Sequence, residues 1–266
     1  MALTLHVLAS GSKGNASIIQ DSGTGRALLI DCGISKQAFF GCCEELGFGP
    51  HAIEAVLITH EHTDHTKGLG VVLRGLARQE IRPQVYVSAR VAEASRELTG
   101  LRGSFDFQNL REDAELSLAG LKVSPFLTSH DAVQSYGFRI EDAHGDALGY
   151  MTDTGTALDK AREYLEECRI LALESNYDLH MLKTGPYPSF LKKRILSDKG
   201  HLSNEQAAEV LESLLANKLK QVVAMHISEN NNTYQIPRET FEQVVARNTH
   251  PAHTATSYQY RTTSIY

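Results

Sequence analysis

Ten consecutive residues constrain this chain more than any others: Val56-Leu57-Ile58-Thr59-His60-Glu61-His62-Thr63-Asp64-His65. The apolar run from Ala55 to Ile58 reads as a buried strand, and a helical pattern over Thr66 to Ala77 follows directly. The polar cluster therefore sits on a tight loop at a strand's carboxyl end, where α/β proteins place their sites. Three imidazoles and one carboxylate at this spacing suit one or two borderline divalent cations such as Zn, Mn or Fe. In an extended loop His60 and His62 point to one side and can share an ion, while Asp64 and His65, carried round the turn, can face a second. Each residue alone has a plainer reading, Asp64 as a helix cap and any one histidine as a surface residue. All four behind a buried strand point to metal.

With 266 residues and 42% hydrophobic content, the chain can bury a large core, and a single α/β domain over residues 1–266 is expected. The start, Met1 to Leu8, has no basic region and alternates like a strand, and no apolar run is long enough to span a bilayer. A cytosolic protein without membrane contact is the expectation. Cys32, Cys42, Cys43 and Cys168 form no C-x-x-C pair and read as buried or free thiols. A net charge of −6 argues against a broad basic surface, yet bound cations would change the charge of one cleft. Nothing in the pattern sets an oligomeric state.

The opening is a meander: strands at 3–8, 16–20 and 27–30, with the turn Ser10-Gly11-Ser12-Lys13-Gly14-Asn15 between the first two. That turn reads as a hairpin connection, and it can also offer donors from Ser10, Ser12, Lys13 and Asn15 to a terminal phosphate. Helices are expected at 35–46, 89–98, 158–167, 204–217 and 237–247, the fourth opened by Ser203 with Glu205 and Gln206 in its first turn. Further strands are expected at 85–87, 115–118, 121–127, 136–141, 147–152, 170–173, 221–225 and 254–261. Asp31, His130, Asp153 and His226 each follow one of these strands. Asp31 is either a turn residue or a carboxylate that orients a metal-bound imidazole through its second N–H. His130 and Asp153 add the histidine and the bridging carboxylate that a two-ion site needs. His201 precedes a helix start, either solvent-exposed or placed to contact a phosphate. The run Lys192-Lys193-Arg194 with Lys199 reads as a solvated face, and Tyr177, Tyr187 and Phe190 as packing residues that could otherwise stack bases.

The landmarks Asp31, His60-x-His62-x-Asp64-His65, His130, Asp153 and His226 resemble, in order, the signature of the metallo-β-lactamase superfamily. The resemblance implies an αβ/βα four-layer sandwich of two mixed β-sheets flanked by helices, with two divalent ions (Zn, Mn or Fe) between the sheet edges. It assigns His60, His62 and His130 to one ion, Asp64, His65 and His226 to the other, and Asp153 to both. A carboxylate rather than a cysteine at Asp153 is unlike the antibiotic-hydrolysing branch. Ser10 to Asn15, Thr152-Asp153-Thr154-Gly155, Glu174-Ser175-Asn176, Gly185 to Pro188, Gly200 to Asn204 and His226 to Asn231 resemble the bacterial YycJ/WalJ (VicX) group of metal-dependent exonucleases that digest double-stranded DNA 5′ to 3′. Tyr177 departs from the histidine common after that asparagine.

By that likeness the expected activity is a dinuclear metal-dependent phosphodiesterase with a DNA substrate. Asp31, Asp153 and His201 are its expected catalytic residues, and Ser10, Ser12, Lys13, Asn15, Asn176 and Asn230 its expected substrate contacts. Hydrolysis of a small phosphodiester, cyclic phosphate or thioester on the same scaffold is the alternative.

Overall fold

Strand alternation decides the layers. In β1 (Leu3–Ala9) the side chains of Leu3, Leu5 and Val7 enter a core between two sheets, and Leu8 enters a second core under helices. β3 (Ala27–Ile30) repeats the pattern, with Leu28 and Ile30 inward and Ala27 and Leu29 outward. β11 (Ile170–Glu174) does the same in the other sheet, Ile170 and Ala172 against Leu171 and Leu173. Strands apolar on both faces belong to sheets covered on both faces. The computed structural model describes residues 2–266; Met1, the first residue of the expected domain, lies outside them.

The first sheet runs β14-β1-β2-β3-β4-β5-β6, adding β2 (Ala16–Asp21), β4 (Ile53–Leu57), β5 (Gln84–Val87), β6 (Phe107–Asn109) and β14 (Thr263–Ile265). The second runs β13-β12-β11-β10-β9-β8-β7, adding β7 (Leu116–Leu118), β8 (Leu121–Leu127), β9 (Tyr136–Glu141), β10 (Ala147–Met151), β12 (Gln221–Met225) and β13 (His253–Thr256). Each sheet is antiparallel over its first strands and parallel over its last, the change falling between β3 and β4 in one and between β10 and β11 in the other.

Helices α1 (Lys36–Glu45), α2 (Thr63–Thr66), α3 (Leu69–Ala77), α4 (Ala89–Ala94) and α5 (Arg96–Thr99) belong to the first half. The second half carries α6 (Asp159–Leu165), α7 (Leu179–Thr184), α8 (Ser189–Ile195), α9 (Asn204–Ser213) and α10 (Gln235–Arg247). Phe39, Val72 and Leu76 cover the first sheet, and Leu165, Leu211, Phe241 and Val244 the second. The result is the expected αβ/βα sandwich.

Several boundaries differ from expectation for local reasons. The helix expected over Thr66 to Ala77 is two: α2 begins at Thr63, after His62 as cap residue, and ends at Thr66, and α3 starts at Leu69 after Gly68, so Asp64 and His65 lie inside the first turn of α2 and Asp64 is not a cap. The helix expected at 89–98 breaks at Ser95, whose hydroxyl accepts from Leu98 N–H and restarts it. The helix at 204–217 stops at Ser213, although its Ser203/Gln206 capping box forms as expected. The last strand is split: β13 ends at Thr256, and the chain returns to pair β14 with β1. β6 and the α7–α8 hairpin were not expected.

The loops after β1, β3 and β4 are stitched together by backbone. Asn15 N–H donates to the Asp64 carbonyl at 2.8 Å, Gly33 N–H to Asn15 at 2.8 Å and Cys32 N–H to His65 at 2.8 Å. Gly33 permits this approach, since a Cβ there would stand 1.6 Å from the Asp64 carbonyl oxygen. Gly33→Ala is therefore expected to lower stability by about 1–3 kcal/mol through displacement of the histidine loop. Gly41→Ala, where a Cβ meets nothing within 4 Å in α1, should be neutral or raise it by about 0.5–1 kcal/mol. Thermal denaturation of the pair checks this, and equal melting temperatures would refute it.

Candidate metal centre

Every residue named from the sequence as a ligand lies at one end of the two sheets. The turn after β4 carries His60, His62, Asp64 and His65, while His130 follows β8, Asp153 follows β10 and His226 follows β12. Asp31, Asp153 and His226 hold left-handed backbone (φ 55°, 55° and 53°) directly beyond their strands. That conformation is uncommon outside glycine and turns each side chain back over the sheet end.

The imidazoles are aimed by their second nitrogens. His65 Nδ1 donates to Asp31 Oδ2 at 2.7 Å, and Asp31 is itself held by Thr59 N–H at 2.9 Å and the Thr59 hydroxyl at 2.8 Å. His60 Nδ1 donates to that same hydroxyl at 2.9 Å, and His130 Nδ1 to the Gly200 carbonyl at 3.1 Å. His226 Nδ1 lies 3.1 Å from Glu174 Oε1. In each case Nε2 is left facing the same space.

Four sets of side chains each bring their ligand atoms within 4.8 Å of one another: His60, His62 and His130; Asp64, His65 and His226; His60, His65 and Asp153; and Asp153, Glu174, His201 and His226. The Asp153 carboxylate lies between the first two sets, 3.9 Å from His130 Nε2 and 3.5 Å from His65 Nε2. His60 Nε2, His226 Nε2 and Asp153 Oδ2 are buried without a hydrogen-bond partner. Buried polar atoms of this kind are rare in folded proteins and mark a missing partner. Neutral imidazole and carboxylate donors in these sets fit divalent cations.

The charge balance gives the same result. Asp31, Asp153 and Glu174 are all but fully buried, and Asp64 stands beside them. Burial alone would lower the basicity of His65, but the carboxylates of Asp153, Asp31 and Asp64 outweigh it and hold the imidazole well above its ordinary range. His226 is likewise raised against burial, to about 10, by Asp153, Asp64 and Glu174. Against the same penalty, Asp64 is held at about 2 by His65 and His226, and Glu174 at about 2 by His201 and His226. His60, buried next to His65, is driven well below its usual value. The carboxylates stay ionised and call for positive charge at this spot.

Glu174, which carried no role in the sequence reading, holds this end of the second sheet together. Its Oε1 accepts from His201 Nδ1 (2.8 Å), His226 Nδ1 (3.1 Å) and Asp153 N–H (3.2 Å), and its Oε2 from Thr154 N–H (3.0 Å) and Leu202 N–H (3.1 Å). A glutamate closing an otherwise apolar buried strand was the available signal.

The expected substrate contacts divide. Ser12, Asn176 and His201 line a cavity of about 230 Å³ over the histidine and carboxylate floor. Ser10 and Asn15 face protein instead. The Ser10 hydroxyl accepts from His226 N–H at 2.8 Å, and the Asn15 amide is spent on Gly11, Asp64 and His65. At the rim Lys13 pairs with Glu229 at 2.9 Å, and Asn230 donates to the Tyr187 hydroxyl at 3.0 Å. Tyr177 is buried with Leu182 and Ile195, so it packs, whereas Phe190 is 74% exposed.

Comparison with known proteins agrees with this geometry. Residues 26–227 match the Beta-lactamase superfamily domain. Exodeoxyribonuclease YycJ of Bacillus anthracis is 32% identical over 254 residues, 92% of this chain and 90% of that protein. Exodeoxyribonuclease WalJ of Streptococcus pneumoniae serotype 2 is 33% identical over 246 residues, 91% and 87% of the two chains. The crystal structure of the metallo-beta-lactamase fold protein YhfI from Bacillus subtilis superposes with a TM-score of 0.73 at 15% identity, covering 100% of both chains, a likeness of fold. The chain belongs to the beta-lactamase superfamily, as a hydrolase of the metallo-β-lactamase fold related to the YycJ and WalJ exodeoxyribonucleases.

Proposed function

We propose that this protein is a two-metal phosphodiesterase that digests double-stranded DNA from the 5′ end. The observation that carries the metal chemistry is that His60 Nε2, His226 Nε2 and Asp153 Oδ2 are buried without partners, in residues whose ligand sets meet at Asp153. The names of the two relatives that match nine-tenths of the chain support DNA as the substrate.

His60, His62 and His130 would hold one cation and Asp64, His65 and His226 the other, with Asp153 shared. Bound there, a pair of divalent ions supplies Lewis-acid charge to a phosphodiester and makes water a nucleophile near neutral pH. The chain's own residues do the rest. Asp31 fixes the His65 tautomer so that Nε2 faces inward. Glu174 accepts a hydrogen bond from His201 Nδ1–H and leaves His201 Nε2 toward the cavity, placed to deliver a proton to the leaving oxygen. The Ser12 hydroxyl on the cavity lining offers a donor to a phosphate oxygen, whereas the Asn176 amide is spent on the His226 carbonyl at 2.6 Å.

Loaded with Mn or Zn, the protein should release nucleotides from 5′-phosphorylated linear duplex. Turnover confined to bis(p-nitrophenyl) phosphate or a glutathione thioester, with duplex left intact, would replace this reading with that of a small-ester hydrolase. Asp64→Ala and His65→Ala should each drop metal content from two ions per chain to one by elemental analysis and abolish digestion with the fold retained; two ions still bound would reject the ligand assignment.

Glu174→Gln turns an amide N–H₂ toward backbone donors. Metal affinity should fall about 10–100-fold, and stability by about 1–3 kcal/mol. Competition with a chelating dye and a melting curve read the two effects separately, and unchanged metal affinity would refute the orienting role.

A further inference from the structure

The α7–α8 hairpin forms a wall of the cavity, and its basic run does not behave as one solvated face. Lys192 Nζ is spent locally, donating to the Lys183 and Gly185 carbonyls at 2.7 Å each, which closes the end of α7. Lys193 points to solvent. Arg194 differs from both. Among the described residues lining the cavity it is the one lysine or arginine, and Leu191 and Tyr187 stand next to it.

Its anchoring is specific. Arg194 Nε donates to Asp131 Oδ2, and its two terminal nitrogens have no hydrogen-bond partner among the described residues. Asp131 Oδ1 is buried without a hydrogen bond, 3.4 Å from His130 Nε2 and 3.9 Å from His62 Nε2. The carboxylate therefore spaces the guanidinium from the histidine nitrogens by its own width and orients the free fork. A planar fork of N–H donors at fixed distance beside an anionic floor suits a phosphodiester oxygen pair. Arg194 meets Oδ2 of Asp131 while His62 and His130 face Oδ1, so an anion held in the fork would lie away from those histidines.

We propose that Arg194 binds the phosphate neighbouring the scissile one in a nucleic-acid strand, and that Asp131 is its positioning residue. This rests on the nuclease reading above. The hairpin then selects polymers over small phosphodiesters, because an ester with a single phosphate has nothing to place in the fork.

The test uses the metal-loaded full chain and its R194Q, R194K and D131N variants, each checked for melting temperature and metal content. KM and kcat are measured on 5′-phosphorylated duplex and on bis(p-nitrophenyl) phosphate. Binding of a cleavage-resistant phosphorothioate-ended duplex is followed by fluorescence anisotropy across salt concentrations. R194Q should raise the duplex KM about 10–100-fold, the worth of one charged hydrogen-bonded contact, with a much smaller change in kcat and on the small ester. Its plot of log affinity against log salt should flatten by about 0.9, one phosphate contact. R194K should restore the salt slope but only part of the affinity, and D131N should weaken binding with the slope kept. An R194Q salt slope equal to wild type, or equal losses on both substrates, overturns the proposal while the nuclease reading stands. Wild-type protein that leaves all DNA intact overturns that reading itself.

Discussion

Uncompensated negative charge at the junction of two sheets is the constraint around which this molecule is arranged. Asp31, Asp153 and Glu174 are carboxylates removed from water, and a buried ion without a partner costs several kcal/mol. Hydrogen bonds account for Asp31 and Glu174, each of which is surrounded by donors. Asp153 is different, since one oxygen has no donor at all. Its compensation has to come from the imidazoles around it when they are protonated, or from cations that they ligate when they are not. The unpartnered Nε2 of His60, an imidazole that burial and the neighbouring His65 keep neutral, favours cations.

Holding such a cluster requires the backbone to be fixed before the side chains are. The stitched loops after β1, β3 and β4 do this for the histidine turn, and Glu174 does it for the loops after β10, β11 and β12. The two devices differ in kind. One is a backbone lattice that depends on the missing Cβ of Gly33. The other is a single carboxylate that collects three backbone N–H groups and two imidazoles. Both leave His60 Nε2, His226 Nε2 and Asp153 Oδ2 free.

The histidine turn and the strand ends were legible because each is written locally, in periodicity and in residue spacing, while the sandwich came from the resemblance those landmarks carry as a set. Glu174 was not, because its five donors come from segments as far apart as residues 153 and 226 and meet only in the folded chain. The α7–α8 hairpin was missed because its helices span 6 and 7 residues, too short for a hydrophobic period to register. Its basic run, exposed at Lys193 and Arg194 as a solvated face is, divides for a similar reason. Three adjacent cations look equivalent in sequence, yet a helix rotates each by about 100°, sending Lys192 to the end of α7, Lys193 to solvent and Arg194 to the cavity. Ser10 and Asn15 were read as donors to substrate because their loop is polar, but the fold turns both inward as supports for His226 and His65.

The two halves repeat one topology, and the repetition shows where chemistry was added. β3 and β10 occupy the same place, each ending an antiparallel set and pairing in parallel with the next strand. Each is followed by an aspartate in left-handed backbone, Asp31 and Asp153, both with φ 55°. Aspartate is among the residues that tolerate this conformation, so backbone geometry permits it at both places. What separates them is the neighbour. Beside Asp31, Thr59 and His65 supply enough donors to saturate the carboxylate. Beside Asp153, Glu174 takes the local N–H groups for itself and leaves one Asp153 oxygen unpartnered. The same turn thus yields a saturated carboxylate in one half and one with an open oxygen in the other, and the difference rests on which side chain ends or follows the adjacent parallel strand: Thr59 after β4, Glu174 closing β11.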